Sequence, residues 1–255
     1  METVTSADGT VIAFDQLGSG PPLIVVAGAS CDRAVDTAIA AALADRFTVL
    51  NYDRRGRGDS TDTPPYDVDR EIEDLDVLVS AAGGAATVVG LSSGAVLAAH
   101  AAASGLPVRH LVMWEPPFRL DAEGQRQTAT YNERLAALLA DHDRGGALEL
   151  FMRMVGVPEP AIAGMRQSPY WALGEGLAPT LAYDAAVMGV GELPPSLGKI
   201  AAPTLLLAGG ASPDWMRDSA RAAAREIPAA RFEVLEGQTH DVAAAVLAAA
   251  VGGLA

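Results

Sequence analysis

Two patterns of apolar and polar positions alternate along the chain. Short runs rich in branched apolar residues are each followed by longer, alanine-rich stretches with helical spacing. The runs are Val11–Asp15, Leu23–Ala27, Phe47–Tyr52, Ala86–Gly90, Arg109–Trp114, Thr204–Ala208 and Arg231–Leu235. Most are continuous rather than alternating, as strands covered on both faces require. The spacing predicts helices over Asp36–Ala44, Asp69–Ala82, Ser93–Ala103, Met216–Glu226 and Val242–Val251. Gly18-Ser19-Gly20-Pro21-Pro22 marks a turn between an N-terminal hairpin and the first central strand, and Asp62-Thr63-Pro64-Pro65 marks another before a helix. Strands alternating with helices predict an α/β fold with a mostly parallel central sheet flanked by helices.

The rhythm breaks from Phe118 to about Leu197. Apolar residues there recur at helical spacing, as in Leu135, Leu138, Leu139 and then Leu148, Phe151, Met152, Val155, interrupted by Gly145-Gly146 and several prolines. Residues 118–197 are therefore expected to form a small helical cap inserted into a core made of 1–117 and 198–255. In open α/β sheets such an insert lies over the strand ends where ligands bind.

Composition narrows the function classes. A chain of 255 residues suits one such domain, and the formal net charge of -14 repels nucleic acid and anionic membrane surfaces. The partner expected is a small molecule, with the chain a monomer or homodimer. Cys31 is the only cysteine, which excludes an intramolecular disulfide, and the first residues lack the basic start and apolar run of a secretory signal. No stretch reaches the roughly 18 apolar residues of a membrane span. A cytoplasmic protein is expected.

The strongest chemical signal is Gly90-Leu91-Ser92-Ser93-Gly94, placed between a strand and a helix. In that context glycines permit a turn too tight for larger side chains, and the turn lifts the serine hydroxyl to a helix N-terminus where negative charge is favoured. A serine nucleophile needs a base. Of the four histidines, His240 lies in Glu236-Gly237-Gln238-Thr239-His240-Asp241, just after the last strand, on the same strand-end face as Ser92. His100 falls within the helix after Ser92, His110 within a strand, and His142 between two aspartates of the insert.

These segments, with Leu23–Gly28 and the loop Tyr52-Asp53-Arg54-Arg55-Gly56-Arg57-Gly58-Asp59-Ser60, resemble the α/β-hydrolase superfamily, specifically small bacterial hydrolases of the esterase, lactonase and haloperoxidase-like kind. The resemblance covers nearly the whole chain outside the insert. It implies that Asp53 and Arg54 brace their turn, and that the backbone N–H groups of Ser93 and Ala29 form an oxyanion hole. Two departures make the pocket less polar: Ala27-Gly28 stands where the family usually has His-Gly, so the side-chain support of that loop is lost, and Leu91 precedes the nucleophile.

The triad acid remains open between two residues. In the superfamily it usually follows the strand that here ends near Gly209, but the expected position falls near Ser212; Asp214 is the nearest acid. The alternative place, after the preceding strand, holds Glu115 in an apolar run where an unpaired carboxylate would be costly. The resemblance implies serine hydrolysis of an ester-, lactone- or thioester-like bond through an acyl-enzyme, with no cofactor or metal. Trp114, Phe118, Tyr131, Met154, Trp171, Tyr183 and Met188 are candidate lining of an apolar substrate pocket. A cyclisation, elimination or rearrangement on the same fold, or a ligand sensor with slow turnover, are the other readings. A carboxylate-nucleophile dehalogenase is disfavoured by Ser92.

Overall fold

The computed structural model describes residues 1–254. Eight strands form one sheet: β1 (Glu2–Thr5), β2 (Val11–Leu17), β3 (Pro22–Val26), β4 (Thr48–Tyr52), β5 (Ala86–Leu91), β6 (Val108–Trp114), β7 (Thr204–Gly209) and β8 (Ala230–Leu235). Their order is β1-β2-β4-β3-β5-β6-β7-β8. The hairpin strands β1 and β2 pair antiparallel to each other, β2 pairs antiparallel to β4, and every other pairing is parallel. Ten α-helices accompany the sheet: α1 (Thr37–Leu43), α2 (Val68–Ala81), α3 (Ser93–Ala103), α4 (Ala122–Ala140), α5 (Arg144–Met154), α6 (Glu159–Arg166), α7 (Trp171–Leu177), α8 (Leu181–Met188), α9 (Asp214–Glu226) and α10 (Ala244–Val251).

The apolar runs are continuous because both faces of the sheet are covered. Successive strand side chains point to opposite faces. Leu23 and Val25 therefore join Leu43, Leu247 and Val251 in the layer under α1 and α10, while Ile24 and Val26 join Leu75, Leu97 and Ala220 in the layer under α2, α3 and α9. Helix α3 is buried over nearly its whole length, and its alanines let it pack closely between the sheet and the helices outside it. The expected helix boundaries hold to within two residues: α3 spans Ser93–Ala103 as expected, whereas α9 starts at Asp214 rather than Met216. No helix among the described residues is long and apolar enough to cross a membrane.

Between β6 and β7 the chain forms α4 to α8, helical as its spacing predicts, with α4 the longest at 19 residues. This insert has its own apolar centre, built on Leu135, Leu148, Leu150 and Leu181. Charge as well as apolar contact holds it to the core. Asp184 of α8 is buried and accepts from Arg54 Nη1 at 2.7 Å and from Arg57 Nη2 at 2.8 Å. Arg54 also forms a two-point bond to buried Glu71 of α2, with both distances 2.7 Å. Tyr183, next to Asp184, stacks on Tyr66 with ring centroids 3.9 Å apart, and its hydroxyl donates to Asp62 at 2.5 Å.

Arg55 turns the other way. It forms a two-point bond to Asp74 of α2, both distances 2.7 Å, and reaches Asp8 at 2.8 Å. Removing one partner of a buried ion pair strands the other without water. Asp74→Ala should therefore cost about 3 kcal/mol. For a chain of this size that lowers the midpoint of thermal unfolding by about 6–12 °C, read by calorimetry or circular dichroism.

Candidate active site

Strand β5 runs into α3 through a single residue. Ser92 has φ 54° and ψ −121°, a conformation that costs a non-glycine residue about 1–3 kcal/mol. Its neighbours explain why glycine must flank it. A Cβ on Gly90 would lie 2.5 Å from Ala95 Cα, and one on Gly94 would lie 2.3 Å from the Val26 carbonyl oxygen. Helix α3 can thus approach β3 and β5 only where these side chains are missing. The Ser92 N–H donates to the Trp114 carbonyl at 2.9 Å, which seats the turn on β6. Among the described residues the Ser92 hydroxyl makes no hydrogen bond, so it stands free above the strand ends.

Glu115 follows β6 and also has a positive φ, 43°. Its carboxylate is fully buried. Oε1 accepts from the Gly209 N–H at 2.8 Å, and Oε2 lies 2.7 Å from His240 Nδ1. Burial pushes the Glu115 carboxyl up, but the hydrogen bonds with His240 and from the Gly209 N–H outweigh this and hold it below its ordinary range. The Trp114 indole N–H donates to the His240 carbonyl at 2.9 Å. Consecutive residues of one strand end therefore grip the histidine by its backbone and by its ring. With Nδ1 directed at a carboxylate, the neutral ring carries its proton there and leaves Nε2 as the basic nitrogen. Nε2 makes no hydrogen bond among the described residues. Ser92 and Glu115 end adjacent central strands in register, Leu91 lying opposite Trp114, so the serine and the acid sit side by side at the C-terminal strand ends, with the histidine bonded to the acid.

Of the two candidate acids, the structure pairs only Glu115 with His240. Asp214 opens α9 with its side chain 88% exposed and is ion-paired to Arg217 one turn on. The loop before it is pinned by the Gly210 N–H on Leu235 and the Ala211 N–H on Gln238. Buried Ser212 occupies the place where the expected acid would fall.

The loop after β3 lies against the serine: a Cβ on Gly28 would be 3.3 Å from Ser92 Cβ. The Ala29 and Ser93 N–H groups make no hydrogen bond among the described residues; Ser93 follows Ser92 directly, and Ala29 follows Gly28, the residue that lies against it. The loop's support, expected to be missing without a histidine at position 27, comes from Arg57. Its Nη1 donates to the Gly28 carbonyl at 2.7 Å and to the Cys31 carbonyl at 3.3 Å. Ser93 Oγ donates to Asp184 at 2.9 Å. Neither Arg57 nor Asp184 was among the expected site residues. Arg57 carried a faint signal in its charged, glycine-rich loop; Asp184 is one acid in a helix and carried none.

The expected lining is only partly assembled. Tyr131 and Trp171 pack against the insert's apolar centre together with Ala29. Met154 is half-buried at the end of α5. Trp114 is buried in the layer under α1 and α10, with its N–H committed to His240, and Tyr183 is committed to Tyr66 and Asp62. Phe118 and Met188 line a different cavity, about 630 Å³, beside His100 and Lys199; neither Ser92 nor His240 borders it. These aromatics were placed by type, and the apolar surface they cover belongs to the core or to the junction with the insert.

A family model described as "Alpha/beta hydrolase family" matches residues 23–250. An alpha/beta hydrolase from Sphaerobacter thermophilus is similar at 49% identity and TM-score 0.90, covering 99% of both chains. A hydrolase from Pseudomonas aeruginosa is similar at 25% identity and TM-score 0.73, over 99% of this chain and 96% of that one. A thermophilic esterase from Thermogutta terrifontis shares the fold at 24% identity and TM-score 0.69, over 94% of this chain and 92% of that one.

Two outcomes follow from this geometry. Gly94→Ala forces α3 away from β3 and should cost about 2–3 kcal/mol, measured by chemical denaturation. The lowered Glu115 carboxyl contributes stability that is complete above its unfolded value of 4.5 and fades as pH falls through the lower folded value. Glu115→Gln should therefore melt below the native protein at pH 7, and the gap should narrow progressively below about pH 4.

Proposed function

The chain belongs to the alpha/beta hydrolase family, and on that premise we propose that it is a serine hydrolase acting on an ester-, lactone- or thioester-like bond of a small, largely apolar substrate. The observation that carries this reading is the Glu115–His240 bond of 2.7 Å, made at the strand end next to the strained Ser92. A buried carboxylate on Nδ1 is what a general base needs: it fixes the tautomer and stabilises the imidazolium that forms.

In this reading His240 Nε2 takes the proton of Ser92 as its oxygen attacks the substrate carbonyl. The negative charge that develops on the carbonyl oxygen is met by the Ser93 and Ala29 N–H groups, at the N-terminus of α3, where the helix dipole adds to the effect. The protonated His240 then gives its proton to the leaving group. Water activated by the same nitrogen attacks the acyl-enzyme and returns Ser92 to its starting state. The apolar centre of the insert reaches Ala29, which supports an apolar acyl group beside the reacting carbon. The formal net charge of -14 disfavours polyanionic substrates.

The test is labelling with a fluorophosphonate and turnover of p-nitrophenyl esters. Ser92→Ala should abolish labelling. Glu115→Gln should lower kcat by about a hundredfold or more, because the wrong tautomer is then favoured. Asp214→Asn should stay within about twofold of the native rate, as expected of an exposed charge outside the triad. Labelling that survives in Ser92→Ala, or full activity in Glu115→Gln, would refute the assignment.

A further inference from the structure

The Gly28 carbonyl and the Ala29 N–H belong to one peptide unit. That unit is planar and trans, so its C=O and N–H point in opposite directions. Whatever grips the Gly28 oxygen therefore also aims the Ala29 N–H. The grip is Arg57 Nη1, 2.7 Å away, and the same guanidinium holds the Cys31 carbonyl at 3.3 Å on the far side of Ala29. Arg57 is itself held by Asp184, with Nη2 on Oδ2 at 2.8 Å.

Asp184's other oxygen, Oδ1, accepts from Ser93 Oγ at 2.9 Å and from Arg54 Nη1 at 2.7 Å. Arg54 Nη1 also reaches the Ala27 carbonyl at 3.4 Å. One carboxylate of the insert thus touches the residue that carries one oxyanion donor, and through Arg57 it sets the peptide that carries the other. Ser93, Arg57 and Asp184 are all buried, which shields these bonds from competition by bulk water.

We propose that Asp184 of α8, acting through Arg57 and Ser93, positions both backbone donors of the oxyanion hole, so that the insert completes the catalytic centre of the core. This rests on Ser92 being the nucleophile, as read above. It gives Arg57 the work of the absent histidine at position 27: the loop is supported from behind by a guanidinium instead of by a side chain of its own. Ser93, Arg57 and Asp184 are positioning residues, since none of their side chains touches the substrate; only the Ser93 amide does.

A purely structural cluster would be felt in stability, whereas a positioning cluster is felt in the transition state. The readouts are kcat and KM for p-nitrophenyl acetate, and the affinity of an alkyl trifluoromethyl ketone. Ser92 adds to that ketone's carbonyl, its proton passes to His240, and the hemiketal oxygen carries its negative charge in the hole. Ser93→Ala removes one hydroxyl and leaves every buried charge paired. It should lower kcat about tenfold, weaken the ketone by the same factor and change KM less than about threefold, with the melting temperature nearly unchanged. Ser93→Thr, which keeps the hydroxyl, should recover most of the loss.

Arg57→Lys keeps the charge but loses the fork that spans Gly28 and Asp184, and should lower both quantities further. If it does not fold, Ser93→Ala alone decides. Folded variants that keep native kcat and ketone affinity would overturn the positioning role and leave the serine-hydrolase reading standing. A native protein that neither turns over the ester nor binds the ketone would overturn that reading and this inference together.

Discussion

The structure depends on a group of charges sealed from water where core and insert meet. Arg54 and Arg57 face Glu71 and Asp184, and all four side chains are buried. Two positive and two negative groups balance, and most of their polar atoms find partners. The desolvation cost of such ions is several kcal/mol each and is recovered only with this quality of geometry. An arrangement so costly when incomplete has little freedom to slide, and it sets where α8, α2 and the loop after β3 lie relative to one another. Apolar contact between the insert and the core brings the two together; the charges decide the register.

On that frame the chemistry is gathered at the C-terminal ends of adjacent parallel strands, where each loop leaves the sheet on the same side. Of the four non-glycine residues with positive φ among the described residues, three, Ser30, Ser92 and Glu115, flank this point. Each bends the chain sharply out of its strand or loop, and together they place a hydroxyl, a carboxylate and two free amides within a few residues of strand ends. Backbone strain of this kind persists only where the surroundings over-determine it. Here the close approach of α3 at Gly90 and Gly94 and the bonds to Glu115 supply that constraint.

In the proposed triad, the acid at the end of β6 illustrates how one function could move between neighbouring loops. The loop after β7 keeps the small, buried Ser212 and sends its own acid, Asp214, out to solvent on α9. Glu115 instead enters from the adjacent strand, and the Gly209 N–H at the end of β7 bonds its second oxygen. The carboxylate thus lies between the two strand ends. The histidine needs one buried, hydrogen-bonded negative charge at Nδ1, and either neighbouring strand can provide it so long as the other leaves room.

How much of this could be read from the chain follows from the range of each interaction. Continuous apolar runs set every strand but the short, largely exposed β1, helical spacing set the helices and the insert, and the glycines around Ser92 marked the elbow, because each signal lies within a few residues. His240 could be chosen because it follows the last strand. Local order could not choose between Glu115 and Asp214, which differ only in where two loops bend across the sheet. It could not identify Arg57 and Asp184 as partners, since they lie 127 positions apart and meet only once the insert has folded back onto the core. Nor could residue type separate pocket aromatics from packing ones, because burying either satisfies the same apolar demand. The sequence by itself therefore determined the elements and singled out the candidate serine and histidine; the tertiary structure alone decided which carboxylate bonds the histidine and what holds the loop beside the serine, because buried charges find their partners through space.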